Sequence, residues 1–224
     1  MNTIKIGIPI YPTVDVIDVA ASWDVLSRIP HYWKGGTVEM LLIGKTCDPL
    51  LTGQSLYLTP THTFDDCEQL DVLLVPGTQT LDAILGDEDY RAFIQKQAAG
   101  AQWVTSVCTG AWLLAKAGLL DGYRATTHCL TVTDFTNTFP NVIVANGYPR
   151  FVQCGNRFTT GGVSSSLDGA LKLVEIITGE AQVAKCIQLE IQYHPQPPYD
   201  DGDPAVADFT TYDLVMGRKS PKCP

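Results

Sequence analysis

One cysteine sits where a strand-like run gives way to a helical one. Trp103 to Val107 is apolar and strand-like, Cys108 follows, and Thr109-Gly110 opens a stretch of helical period. A strand–turn–helix juncture of this kind holds a side chain clear of the sheet, beside unsatisfied helix N–H groups. Their partial positive charge favours a thiolate, so the expected result is a more acidic and more nucleophilic thiol. The same spacing also suits a buried structural cysteine at the end of a central strand.

A nucleophile of this type wants proton donors and acceptors nearby. Asp18 falls just past the first strand, in Asp15-Val16-Ile17-Asp18. Asp15 reads as a helix N-cap and Asp18 as a first-turn carboxylate, both favoured by the helix dipole. The functional reading has Asp18 projecting over the same strand ends as Cys108. Desolvation beside a thiol would then raise its pKa and let it exchange protons near neutrality. Gly77 and Thr78 follow Val75-Pro76, and a glycine turn there can aim an N–H into the crevice. With the N–H of Thr109 it would make a two-donor anion hole. His128 ends Ala125-Thr126-Thr127-His128, either near Cys108 or as a hydrogen-bonded core histidine. His31 and His62 read as exposed loop residues, and Asp24 as structural. Gly161 and Gly162, in Thr160-Gly161-Gly162-Val163, line the pocket or form a tight strand-to-helix turn; no lysine follows them, so this is not a phosphate loop.

Strand and helix signals alternate along the chain. Strands are expected at Ile4–Ile10, Val38–Ile43, Ser55–Leu58, Val72–Val75, Trp103–Val107, Ala125–His128, Val142–Ala145, Phe151–Cys154 and Arg157–Thr160. Helices are expected at Val16–Ser27, Thr80–Leu85, Glu88–Ala99, Ala111–Ala117, Thr131–Thr138, Ser166–Thr178 and Glu180–Gln192. An extended arm, His194–Pro204, leads to a tail with a possible short helix. Alternation with apolar, unalternated strands implies an α/β three-layer sandwich, a mainly parallel sheet with helices on both faces. Ligands of such sheets sit at the C-terminal strand ends, where Asp18, Gly77 and Cys108 all fall.

Composition narrows the partners. The chain has 224 residues, 45% hydrophobic and 17% charged, with a formal net charge of −9. That balance, with a pI near 4.7, argues against nucleic acid or an anionic membrane surface as the main partner. The start, MNTIKIGIPIYP, lacks the pattern of a signal peptide, and no apolar run reaches bilayer length; a cytoplasmic protein is expected. Seven scattered cysteines form no CxxC and no zinc-ligand spacing, so no metal is expected. Cys223, next to last, is expected to be exposed, and the cysteines other than it and Cys108 to be buried small hydrophobes.

Together these residues resemble the ThiJ/PfpI superfamily, and within it the isonitrile hydratases. The carrying stretches are Asp18-Val19 with Trp23-Asp24-Val25-Leu26, Leu70-Asp71-Val72 through Gly77, and Val104 through Gly110. To these are added Leu119-Leu120 through His128, Thr160-Gly161-Gly162, and Gln188-Leu189-Glu190 through Pro197-Pro198-Tyr199. The resemblance covers Ile4 to Asp203. It implies a flavodoxin-like, class I glutamine amidotransferase-like domain over residues 1–204, with a C-terminal extension over 205–224.

The resemblance also implies an activity: water added to the terminal carbon of a small-molecule isonitrile, giving an N-substituted formamide, with no cofactor. Cys108 would attack that carbon to form a thioimidate, Asp18 would serve as general acid and base, and Thr109 would orient the thiol. Gly77, Thr78, His128, Gly161 and Gly162 would contact substrate. A homodimer is implied as well. Thr109 in place of a histidine, and Asp18 where peptidase and deglycase-like relatives carry Glu, point to the hydratases. The alternatives are a non-catalytic redox-sensing or ligand-binding module, in which peroxide oxidises Cys108, and a glyoxalase- or deglycase-like enzyme.

Overall fold

Strands that are apolar on both faces bury them only if helices cover the sheet on two sides, and this chain folds in that way. A computed structural model describes residues 2–217; Cys223 lies outside the described residues. β1 (Asn2–Pro9) leads through a turn into α1 (Val16–Ser27) and the short α2 (Ile29–Tyr32). β2 (Gly36–Gly44) returns beside β1, followed by a hairpin of β3 (Leu50–Leu51) and β4 (Tyr57–Leu58), then β5 (His62–Thr63). β6 (Val72–Val75) feeds α3 (Leu81–Leu85) and α4 (Glu88–Gly100), and β7 (Trp103–Ser106) feeds α5 (Gly110–Lys116).

A smaller unit follows, with β8 (Arg124–Ala125), α6 (Val132–Thr138) and β9 (Ile143–Val144). β10 (Phe151–Cys154), β11 (Arg157–Thr160), α7 (Ser165–Thr178) and α8 (Ala181–Glu190) complete the domain. The tail carries α9 (Phe209–Gly217), with none of its residues buried.

The main sheet has seven strands in the order β10-β11-β7-β6-β1-β2-β5. All neighbours are parallel except β10, which runs antiparallel to β11 at one edge. α1, α2, α7 and α8 pack together on one face, and α3, α4 and α5 on the other. The flavodoxin-like three-layer sandwich is therefore present. Its core runs through the central strands: Ile6, Ile8, Leu73, Val75 and Val104 are wholly shut off from solvent.

Of the five cysteines expected to be buried small hydrophobes, only Cys67 is; Cys47 is exposed and Cys129, Cys154 and Cys186 are half-buried. Two further expectations change. Ala125–His128 is not a strand of the sheet: β8 stops at Ala125 and pairs only with β9. The Thr126 N–H turns instead to Thr159 Oγ1 at 2.9 Å, and Thr127 Oγ1 donates to the Cys108 carbonyl at 3.1 Å. These side-chain bonds pull the segment out of a ladder and over the end of β7. The second difference is α2, which begins with Ile29-Pro30; proline at the first turn lacks only an N–H that would be unpaired anyway.

Trp112, Phe135 and Phe139 stack edge and tilted, with centroids 5.4–5.6 Å apart, and tie α6 to α5. This cluster holds the 126–131 segment above the β7–α5 turn. Because β1 lies inside the sheet, between β6 and β2, and Ile6 is wholly buried, Ile6→Ala should lower stability by about 2–5 kcal/mol, seen as an earlier denaturant midpoint with an unchanged slope.

Candidate active site

Four strand ends converge on one point. After β7, Cys108 takes φ = 58°, a left-handed conformation that costs a non-glycine residue about 1–3 kcal/mol. It is held there by its neighbours. The Cys108 N–H is shared between the Gly161 carbonyl at 2.9 Å and the Thr160 carbonyl at 3.2 Å, at the C-terminal end of β11. Its own carbonyl accepts from Thr127. The turn is thus clamped from both sides, and the sulfur is aimed across the ends of β6 and β1.

Asp18 meets it from α1. Asp15 caps that helix, accepting from the Ile17 N–H at 3.1 Å, and Asp18 follows in the first turn as expected. Its side chain is fully buried, and Oδ2 accepts the Gly77 N–H at 2.9 Å. A Cβ on Gly77 would lie 2.6 Å from Thr109 Oγ1 and 2.7 Å from the Thr109 nitrogen, so only glycine lets the β6 turn approach this closely. Tyr11 fixes the preceding carbonyl: its hydroxyl donates to Pro76 O at 2.8 Å.

These contacts revise the expected anion hole. The Gly77 N–H is taken by Asp18. The Thr78 N–H is taken by Thr109 Oγ1 at 2.8 Å, and that hydroxyl gives its hydrogen back to Thr78 O at 2.6 Å. Thr78's own hydroxyl faces Thr13 and Thr80 rather than the crevice. Of the expected donors, only the Thr109 N–H faces the Cys108 sulfur. The turn therefore builds the acid and the thiol into place instead of offering a pair of free donors.

Electrostatics reverse the expected acidity of the thiol. Burial pushes the Cys108 thiol well above its ordinary range, and the carboxyls of Asp18 and Asp15 push it further; hydrogen bonding from Thr109 only partly offsets them. α5 is short and Cys108 lies before its cap, so the helix terminus does not prevail. Burial likewise raises Asp18 well above the usual carboxylate range, and the nearby charge of Asp15 adds to it. Hydrogen bonding from Gly77, Cys108 and Ser166 works the other way and is weaker. Both shifts favour the protonated form of each group. Oδ2 accepts from Gly77, and Oδ1 is buried, with Cys108 and Ser166 approaching the carboxyl though none of the described residues meets ideal hydrogen-bond geometry at that oxygen.

The remaining candidates fall around this pair. Gly161 contributes its carbonyl to Cys108, while its N–H donates to Arg150 O at 2.9 Å. Gly162 makes room for His128: a Cβ there would lie 2.5 Å from the imidazole Cδ2. His128 Nδ1 accepts the Leu130 N–H at 3.2 Å and caps a 3-10 turn over Cys129–Thr131, so it borders the site without touching the pair through that nitrogen. His31 lies on α2, 3.8 Å from Glu190, and His62 lies in β5, four strands from β7. Tyr11, Thr127 and Ser166 were not singled out from the sequence. Each lies within a few residues of a strand end or a glycine turn, which is the signal that marks them in a parallel sheet.

No group of three or more His, Cys, Asp or Glu among the described residues is arranged to hold a metal. No helix among them is long and apolar enough to cross a membrane.

Comparison with known proteins places this geometry in context. Residues 4–176 match the DJ-1/PfpI family. An isonitrile hydratase from Pseudomonas putida is 37% identical over 97% of this chain and 91% of its own. The transcriptional regulator GbdR of Pseudomonas aeruginosa is 33% identical, over only 53% of this chain and 32% of its own. A ThiJ/PfpI family protein from Pseudomonas syringae superposes with a TM-score of 0.85 at 30% identity, covering 98% of this chain and 88% of that one.

The raised Asp18 pKa has a signed consequence for stability. The folded chain keeps this proton where the unfolded chain has released it. Asp18's contribution is therefore complete below the ordinary carboxylate range and is lost as pH rises through the folded value. Asp18→Asn, which cannot ionise, should melt at least about 2 °C above wild type at pH near 8, with the gap closing toward pH near 4 in differential scanning calorimetry.

Proposed function

The chain belongs to the DJ-1/PfpI family, and we propose that within it this protein is an isonitrile hydratase, a hydro-lyase that needs no cofactor. One observation carries the reading: a buried carboxyl and a buried thiol held at one closed point, in a chain alike over nearly its whole length to an isonitrile hydratase. The terminal carbon of an isonitrile must gain a proton and a nucleophile at the same atom. A soft sulfur beside an acid supplies both.

In the first step the Cys108 sulfur bonds to the isonitrile carbon. Asp18 gives its Oδ1 proton to that carbon and receives the thiol proton in return. The product is a thioimidate, R–N=CH–S–Cys108, and Asp18 is again neutral. Water then adds to the same carbon, the C=N pair moves to nitrogen, and one water proton passes to nitrogen through Asp18. Collapse of R–NH–CH(OH)–S–Cys108 breaks the C–S bond, returns a proton to sulfur and releases the formamide. Each proton taken up is given back, so the enzyme ends as it began.

Every residue placed around the pair has a role in this reading. Thr109 locks the turn through its hydroxyl and faces the sulfur with its N–H. Gly77 orients the acid, Gly161 holds Cys108, and His128 on Gly162 forms a wall toward the substrate, with Thr78 as a clamp behind. A peroxide sensor, by contrast, needs an accessible thiolate, and Cys108 is 5% exposed with its thiol pushed upward. The six described cysteines are all free thiols, in keeping with a reducing cytoplasm.

The homodimer belongs to the same proposal. Ile17, Leu51, Leu56 and Tyr57 are exposed apolar residues where the β3–β4 hairpin seats on the turn before α1, a surface suited to a second copy. Sedimentation at micromolar concentration should give twice the 24.4 kDa chain mass; a monomer would remove this part of the reading.

Cyclohexyl isocyanide offered to the purified protein should yield N-cyclohexylformamide. Cys108→Ala should make none, and Asp18→Asn should slow turnover by at least about a hundredfold while remaining folded. A folded wild type that makes no formamide would refute the assignment.

A further inference from the structure

The tip of the β3–β4 hairpin seats on the turn before α1. The Thr13 N–H donates to Leu51 O at 2.8 Å, and the Gly53 N–H donates to Val14 O at 3.0 Å. Gln54 then brackets the start of the helix. Its Nε2 donates to Asp15 Oδ2 at 3.0 Å, and its Oε1 accepts the Val16 N–H at 2.9 Å. Asp15 is 4% exposed, and its other oxygen accepts the Ile17 N–H. The Asp15 N–H donates to Gly77 O at 2.8 Å, and the Gly77 N–H donates to Asp18 Oδ2 at 2.9 Å. A line of bonds thus runs from the hairpin tip to the Asp18 carboxyl, with a second enclosed carboxylate three residues before it. Capping needs one acceptor oxygen, which Asn, Ser or Thr supplies equally well. The negative charge of Asp15 goes beyond that need.

We propose that Asp15 and Gln54 are positioning residues for the Asp18–Cys108 pair: Gln54 fixes the Asp15 carboxylate behind Asp18, and its charge holds the proton on the acid until the substrate carbon takes it. The role in catalysis rests on the hydratase reading. The titratable groups around the pair are Asp15 on α1, Tyr11 after β1 and His128, which borders the site after β8. α7 brings Ser166, and the strand-end turns bring Gly77 and Thr109. Tyr11 is itself buried, and burial pushes its hydroxyl up, so it contributes a dipole and no charge. The Asp15 charge opposes a second negative charge on Asp18 and on Cys108 alike. Gln54 takes the place of water at Asp15 Oδ2, and a carboxylate out of water is screened less. Neither residue touches the reacting carbon; both act through Asp18.

Two measurements test this. Alkylation of Cys108 by iodoacetamide, followed across pH by peptide mass spectrometry, reads the charge on the free enzyme without turnover. Asp15→Asn keeps the cap and removes the charge, so the pH midpoint for Cys108 should fall by about one unit. Gln54→Leu keeps Asp15 but admits water to it, and should lower the midpoint by less. A wild-type midpoint in folded Asp15→Asn overturns the proposal. A wild-type midpoint in Gln54→Leu overturns the part given to Gln54 and, should Asp15→Asn not fold, the whole. With cyclohexyl isocyanide, the alkaline limb of kcat/KM, which reports the free enzyme, should move to lower pH in Asp15→Asn. Asp15→Glu, which keeps the charge, should return it toward wild type. A rate lowered at every pH with the limb in place would make Asp15 merely structural and overturn its role in catalysis. Wild-type protein that makes no formamide would overturn the hydratase reading and that role with it, while the alkylation midpoints still decide whether Asp15 sets the charge state of the pair.

Discussion

Burying a carboxyl group where water cannot reach it forces a choice between neutrality and a dense shell of donors, and most of the local architecture follows from that choice at Asp18. The Gly77 N–H reaches the carboxyl at 2.9 Å, and Cys108 and Ser166 add to it. These neutral donors do not offset the cost of an enclosed negative charge, so burial favours the protonated acid. To deliver that one bond, β6 must end in a turn with no side chain at position 77, and Tyr11 must hold the Pro76 carbonyl from behind. Thr109 and Thr78 then interlock across the same gap.

Neutrality of the pair separates this site from thiol enzymes that rely on a histidine. In those, a preformed ion pair supplies a thiolate that attacks a polarised carbonyl. Here burial favours the protonated form of both the thiol and the acid. The left-handed backbone at Cys108 is part of the same arrangement, because it turns the sulfur toward α1 instead of along β7. Its strain is offset by hydrogen bonds reaching in from β11 and from Thr127.

Much of this was legible in the sequence, and the exceptions have a common origin. The strands Val72–Val75, Phe151–Cys154 and Arg157–Thr160 and the helix Val16–Ser27 lie where apolar runs and breakers put them. Asp15 as N-cap and Asp18 facing Cys108 also follow from local pattern. What the pattern missed is where polar atoms spend their bonds. The Gly77 N–H was expected to face substrate and is used by Asp18; Thr126 and Thr127 were expected in a ladder and bond instead to Thr159 and Cys108. The expected fall in the thiol pKa considered the helix terminus alone. Enclosure, which comes from elements distant in sequence, outweighs it. Such terms are set by tertiary contacts, and no window of neighbouring residues contains them.

The clamp on Cys108 also sets an order in time. Its parts come from widely separated stretches: Asp18 near the start, Gly77 a third of the way along, Thr160 and Gly161 nearly three quarters along. The hairpin of β10 and β11 closes over two residues, Gly155 and Asn156, and can form locally and early; its docking on β7 spans some fifty residues of intervening chain and is slow by comparison. Until that docking, nothing on β11 holds the Cys108 N–H, and the cysteine is free to take an ordinary extended conformation. During synthesis the growing chain therefore carries an unremarkable thiol, and the reactive arrangement comes into being only when the last strand closes the sheet.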